Sequence, residues 1–212
     1  MSRAVLFDVD GVLVHGYHAR PERQVRWDER LLEDLGVDPD RFREEFIYGP
    51  FVGEVLIGQL PLIEALDRVL PALGYQGSPM TFANYWLSHD SHVNVPLVEA
   101  VRRLKSAGQS RLFIATNQDH MRAQWLWFTL GFGELFEDIF YSARFGAMKP
   151  SAPFFDAVER RLGPQDEPPL FFDDRAEVIE AARTRGWDAV LYDTLDDCTD
   201  HPWITEQLAR TS

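Results

Sequence analysis

A chain of 212 residues with 45% hydrophobic and 26% charged residues is ordinary for a globular protein, so disordered and collagen-like classes drop out. Its length accommodates one sizeable core and a smaller appendage, and a formal net charge of −13 argues against binding nucleic acid or an anionic membrane surface. The single Cys198 has no intrachain partner and suits a cytoplasmic location; the first apolar run is too short for a secretory leader, and no run approaches a membrane span.

In chain order, Ala4-Val5-Leu6-Phe7 runs straight into Asp8, with Asp10 and Gly11 just beyond. A short apolar run of this kind predicts a strand buried on both faces and ending at Asp8. Asp and Gly are also common turn residues, so the stretch alone fits a plain turn equally well. It is no EF-hand loop, because Val12 and Ala19 stand where that loop needs an acid or amide and a glutamate. Apolar spacing then predicts one helix over 21–35, stopped by Gly36, and a second over 38–46 with Asp38 as N-cap and Pro39 at its first position. Residues 51–57 are ambiguous. Pro61 opens an amphipathic helix that stops at Gly74, and another spans 79–88. Residues 16–93 are therefore expected to be all helical.

Beyond Val95 the texture alternates. Helices are predicted over 96–107, 119–130, 151–162 (Ser151 as cap), 175–185 and 202–210. Strands are predicted over 112–116, 138–142, 170–172 and 189–192. Such alternation implies an α/β fold: a Rossmann-like parallel sheet with helices on both faces, formed by residues 1–15 and 94–212. Residues 16–93 then form a small helical cap inserted after the first strand. Open sheets of this kind bind ligands outside the carboxyl ends of their strands.

Three predicted strands end at that edge in a polar residue: Asp8, Thr116 and Asp173, with Asp10 and Asp174 as further acids. Any one such residue is unremarkable after a strand; together they form a constellation. Four carboxylates in one crevice repel each other unless a cation sits among them. Oxygen-only ligands select a hard metal, and Mg²⁺ is the expected ion. Lys149, in the loop before helix 151–162, is a candidate counter-charge in a chain with two lysines and nineteen arginines. On its own, a surface lysine is the simpler reading.

Asp8-Val9-Asp10-Gly11-Val12, Thr116-Asn117, Lys149-Pro150 and Phe172-Asp173-Asp174 together resemble, in order and rough spacing, the four motifs of the haloacid dehalogenase superfamily. The helical block resembles that superfamily's first type of cap, so the resemblance spans essentially the whole chain. Phe171 to Asp174, Met148-Lys149-Pro150 and the short cap look most like the small sugar-phosphate phosphatases, the alpha-glucose-1-phosphate phosphatases among them. The resemblance implies that Asp8 is the nucleophile and Asp10 the general acid and base. It implies that Asp8, the Asp10 backbone carbonyl and Asp174 bind Mg²⁺, with Asp173 beside them. Thr116 and the Asn117 backbone N–H would hold the phosphoryl oxygens, and Lys149 would neutralise charge there. Dehalogenases resembling this pattern lack the second acid, and the phosphonate-cleaving branch needs a cap lysine that 16–93 does not contain. A receiver domain places its acids in a different strand order.

Other features read as structural. Trp125, Trp127 and Phe128 lie on a predicted core helix, His89 and His92 lack a third metal ligand, and Arg102-Arg103 and Arg160-Arg161 read as solvated faces. Arg175 is expected to point outward. His15, His18, Arg20 and Arg23, where the first strand hands over to the cap, are candidate substrate contacts or plain hinge residues. The expected activity is a Mg²⁺-dependent phosphatase acting on a small phosphorylated metabolite, a sugar phosphate by resemblance. A sugar phosphomutase and a non-catalytic metabolite- or partner-binding protein are the alternatives.

Overall fold

The computed structural model describes residues 2–210. Strand β1 (Arg3–Phe7) is buried along its whole length, and a turn at Gly11 leads to the two-residue strand β2 (Val14–His15). Gly11 adopts φ 78°, and its N–H donates to the Val14 carbonyl at 2.9 Å. That left-handed conformation disfavours a side chain, so the glycine fixes where Asp10 sits relative to β1.

The helical insert follows. The single helix expected over 21–35 is not formed. Pro21–Arg23 make one tight 3₁₀ turn, residues 24–30 are non-helical, and only α1 (Leu31–Leu35) is regular. The cause is tethering: the Val25 N–H donates to the Gly16 carbonyl and the Gln24 amide to the His18 carbonyl, each at 2.9 Å. Helix α2 (Pro39–Phe42) is capped as expected, with the Asp38 carboxylate accepting from the Asp40 and Arg41 N–H groups. It winds on as wider π-helical turns over Arg43–Val55, kinked at Gly49 just before Pro50. Helices α3 (Leu62–Val69) and α4 (Pro79–His89) complete the insert. Leu31, Phe42, Phe46, Leu66 and Phe82 enclose an apolar cluster of its own. Strand β3 (His92–Val93) pairs antiparallel with β2, so the stretch expected to lack strands ends in a short ribbon that ties its two ends together.

The remainder alternates as expected. Helix α5 (Val95–Ala107) leads to β4 (Ser110–Thr116); α6 (His120–Gln124), extended by π-helical turns over Trp125–Thr129, leads to β5 (Asp138–Tyr141). The short α7 (Ser142–Phe145), α8 (Ala152–Leu162), β6 (Leu170–Asp173), α9 (Ala176–Thr184) and β7 (Asp188–Leu191) follow, and α10 (Leu195–Thr199) and α11 (Pro202–Ala209) close the chain. Ser151 stands at the N-cap of α8, but its hydroxyl donates to the Met148 carbonyl instead of capping the helix. Helix α10 escaped the apolar pattern because it is set by a capping box, Thr194 with Asp197.

The main sheet has the order β5-β4-β1-β6-β7, with every pairing parallel. Side chains alternate across it. Val5, Phe7, Ile114 and Phe172 pack under α5, α6 and α11, while Leu6, Phe113, Ala115 and Phe171 pack under α8 and α9. The result is an α/β core with both sheet faces covered. Trp127 packs against the first of these layers, whereas Phe128 is 78% exposed. Chain direction across the sheet reverses at β1, between β4 and β6, which places the ligand crevice over the carboxyl ends of those three strands. Among the described residues no helix is long and apolar enough to cross a membrane.

Candidate active site

The three strand ends deliver what the sequence led us to expect. Asp8 follows β1, Thr116 ends β4 and Asp173 ends β6, and all three side chains are buried. Lys149 reaches this edge from the loop before α8 and is 3% exposed. Its ammonium is fully used, contacting Asp8 Oδ1 at 2.9 Å and donating to Asp173 Oδ2 at 2.6 Å and to the Ala115 carbonyl at 2.8 Å. Burial alone would lower the lysine's pKa, but the Asp173 and Asp8 carboxylates outweigh it and the net shift is upward, so the side chain stays charged.

Asn117 holds that lysine in place. Its Nδ2 donates to the Lys149 carbonyl at 3.0 Å, and its Oδ1 accepts from the Lys149 N–H at 2.8 Å. The amide side chain therefore acts as a positioning group.

Asp173 has both oxygens engaged, one by Lys149 and the other by the Arg175 N–H at 2.9 Å. Asp174 accepts from the Ala19 N–H at 2.6 Å. Donor oxygens of Asp8, Asp173 and Asp174 all lie within 4.8 Å of one another. Burial, then the neighbouring Asp8, push Asp174 up to about 6. An all-oxygen donor set with carboxylates crowded enough to resist ionisation is a fit for a hard divalent cation. Since Asp173 is already committed, Asp8 and Asp174 are the side chains best placed to ligate it. A Cβ at Gly11 would lie 2.5 Å from Asp174 Oδ2, so only glycine at that turn leaves the carboxylate where it is.

Asp10 stands apart from the others. Its Oδ2 accepts from Gln118 Nε2 at 2.5 Å, and its Oδ1 lies 3.5 Å from Arg122 Nη2 with no hydrogen bond. Burial pushes Asp10 up to about 7; Arg122 opposes this, and Asp90 and Asp8 add to it. A carboxyl poised there can both give and take a proton near neutral pH. Arg122 is itself 4% exposed, and its other terminal nitrogen lies 3.5 Å from Asp90 Oδ2, at the end of α4. Sequence reasoning missed Arg122, Gln118 and Asp90 as members of this site. A buried arginine in the first turns of a helix leaves no periodic mark, and only its closeness to Thr116-Asn117 hints at it.

Above this floor lies a cavity of about 640 Å³ whose roof comes from the insert, with Trp27, Arg43, Tyr48, Phe51 and Trp86 among its lining residues. His15, His18, Arg20 and Arg23 do not line it. Arg20 and Arg23 pair with Asp193 at 2.8 and 3.1 Å. His18 Nδ1 accepts from the Arg20 N–H at 2.9 Å, so its 3.4 Å approach to Asp174 brings two acceptors together and is no ion pair. Burial also lowers the His18 pKa. Arg175 keeps its guanidinium on Glu177 at the cavity margin, and its backbone N–H is what serves the site.

A helix-flanked parallel sheet whose switch-point edge gathers acids around one buried lysine defines an α/β protein with its ligand crevice at that edge. The model for the haloacid dehalogenase-like hydrolases matches residues 2–186, and the chain belongs to that family. Phosphatase MT3486 of Mycobacterium tuberculosis is 27% identical over 195 residues, covering 90% of this chain and 87% of its own. A predicted HAD-like family hydrolase from Porphyromonas gingivalis has a similar fold, with a TM-score of 0.71 at 21% identity and 98% of both chains covered. A HAD family enzyme from Bacteroides thetaiotaomicron, solved with magnesium and inorganic phosphate, gives 0.70 at 18% identity over 89% of this chain and 93% of its own.

Proposed function

We propose that this hydrolase is a Mg²⁺-dependent phosphatase that releases inorganic phosphate from a small phosphorylated metabolite through an aspartyl-phosphate on Asp8. Residues 1–15 and 94–212 would be its catalytic domain and 16–93 the cap that closes over the substrate. The observation that carries this reading is the convergence of Asp8, Asp10 and the buried Lys149 on one cavity.

In the first step an Asp8 carboxylate oxygen attacks phosphorus, the bond from phosphorus to the ester oxygen breaks, and Asp10 gives that oxygen its proton. In the second, Asp10 takes a proton from water as the water oxygen attacks phosphorus. The bond to Asp8 breaks, phosphate leaves, and both acids return to their starting states. Lys149 offsets the negative charge that would otherwise keep Asp8 from an anionic phosphoryl group, and Thr116 with the Asn117 N–H faces the phosphoryl oxygens. Asp8, Asp174 and the Asp10 carbonyl would hold Mg²⁺, which when bound adds positive charge beside the phosphoryl group. Asp10 supports phosphoryl transfer over dehalogenation, because a departing halide needs no proton whereas an alkoxide does. The buried Cys198 suits a cytoplasmic enzyme.

The test is phosphate release from a panel of phosphomonoesters with Mg²⁺, with EDTA, and with Asp8→Asn. Metal-dependent turnover that disappears in the variant is expected. Equal inactivity of both proteins on every ester would overturn the reading, and isomerised sugar phosphate without free phosphate would replace it with a mutase.

A further inference from the structure

We infer that the alcohol carried by the substrate's phosphoryl group is an apolar, aromatic body rather than a polyhydroxylated sugar; this rests on the phosphatase reading above. The roof is a wall of rings. Trp27 stacks on Trp86 with centroids 5.0 Å apart, and Phe51 lies 5.1 Å from Trp86. Phe42 and Phe46, both fully buried, press edge-on against Trp86 from behind and fix its plane. A wall held in this way is preorganised and loses little freedom when a flat group packs on it.

Exposure makes the same point. Tyr17, Val25, Tyr48 and Val52 are 61%, 41%, 72% and 40% exposed, and all four line this cavity. Large apolar side chains left uncovered around a catalytic cleft serve contact and not the core. The cavity's volume of about 640 Å³ far exceeds what a phosphoryl group alone requires and matches a body of one or two rings.

The buried charged cluster of the roof, by contrast, is engaged with itself. Asp28 is 4% exposed and takes Arg26 Nε on one oxygen at 2.8 Å and Arg43 Nη1 on the other at 3.0 Å. Gln24 Nε2 donates to the His18 carbonyl and Trp86 Nε1 to Asp90 Oδ2, whereas Asp90 Oδ1 and the Arg122 terminal nitrogens, at the border with the floor, have no hydrogen-bond partner. A sugar ring placed against this wall would give up water around its hydroxyls and meet aromatic faces in return, a penalty wherever a hydroxyl is left without a partner. The expectation of a sugar phosphate rests on short motifs around the catalytic floor and on the shortness of the cap, and not on the residues of this wall.

Benzyl phosphate and glucose 6-phosphate are both esters of primary alcohols, so their leaving groups are chemically alike and only the bodies differ. Their kcat/KM values should differ by about ten-fold or more in favour of benzyl phosphate. Tyr48→Ala, at a side chain too exposed to endanger folding, should shrink the benzyl preference about three- to ten-fold through KM, and Phe51→Ala should do likewise. Glucose 6-phosphate turned over as well as benzyl phosphate, or variants that shift both esters equally, would overturn this inference and leave the phosphatase reading intact. No phosphate release above Asp8→Asn from any ester would overturn both.

Discussion

The floor and the roof of the cavity are held together by different forces. On the floor the groups around Lys149 are charged or hydrogen-bonding and have assigned partners: Lys149 has three acceptors, Asp173 two donors, and Asn117 a reciprocal pair of bonds to the Lys149 backbone. The roof is fixed mainly by rings on rings, with one buried acid, Asp28, gathering two arginines. Charge interactions in a buried site demand fixed geometry, because an unpaired buried charge costs several kcal/mol. Apolar contacts tolerate exchange better, because each atom pair contributes little and the burial is shared over many atoms. The sheet edge is therefore suited to invariable chemistry and the insert to choosing what reaches it.

Substitutions on the floor should reduce turnover of every ester, whereas substitutions on the roof should change the ranking of esters. The largest expected effect is Asp8→Asn, with phosphate release falling by about 10⁴-fold or more and circular dichroism unchanged. Lys149→Met should come next. It leaves Asp8 and Asp173 buried without their cation, so urea denaturation should show a loss of about 3–5 kcal/mol and kinetics a drop of about 10³-fold. Gly11→Ala forces a Cβ against Asp174 at a backbone conformation with φ 78°. About 1–2 kcal/mol of stability and about ten-fold in Mg²⁺ activation should be lost, read from the metal dependence of the rate. The smallest effect belongs to Asp90→Asn, which cuts the contact between the end of α4 and Arg122. A few-fold fall in kcat and about 1 kcal/mol of stability are expected, and a change in ester ranking instead would mean that Asp90 belongs functionally to the roof.

The floor was legible in the sequence because its logic is local. An apolar run that stops at a carboxylate or a threonine marks both the strand and the residue at its edge, and Asp8, Thr116 and Asp173 all follow that rule. Lys149 stood out by rarity. Arg122 did not, since its burial depends on Asp10 and Asp90, which lie far from it along the chain and converge only when the insert docks. The roof was largely illegible. Apolar spacing over 21–35 suggested a helix, yet Val25 faces the cavity and the segment is tied to Gly16 and His18 by bonds no periodicity records. Helical spacing placed Trp86 on a helix and left Phe51 unassigned, and nothing in it marked either ring as lining the cavity.

The most direct test of the account is the fate of Asp8 during turnover. Wild-type protein mixed with Mg²⁺ and a hydrolysed ester, quenched in acid and mapped by peptide mass, should carry one added phosphoryl group on Asp8. The Asp8→Asn protein should carry none. Phosphate released at full rate with Asp8 never labelled, in protein quenched fast enough to catch a bound intermediate, would contradict the central claim.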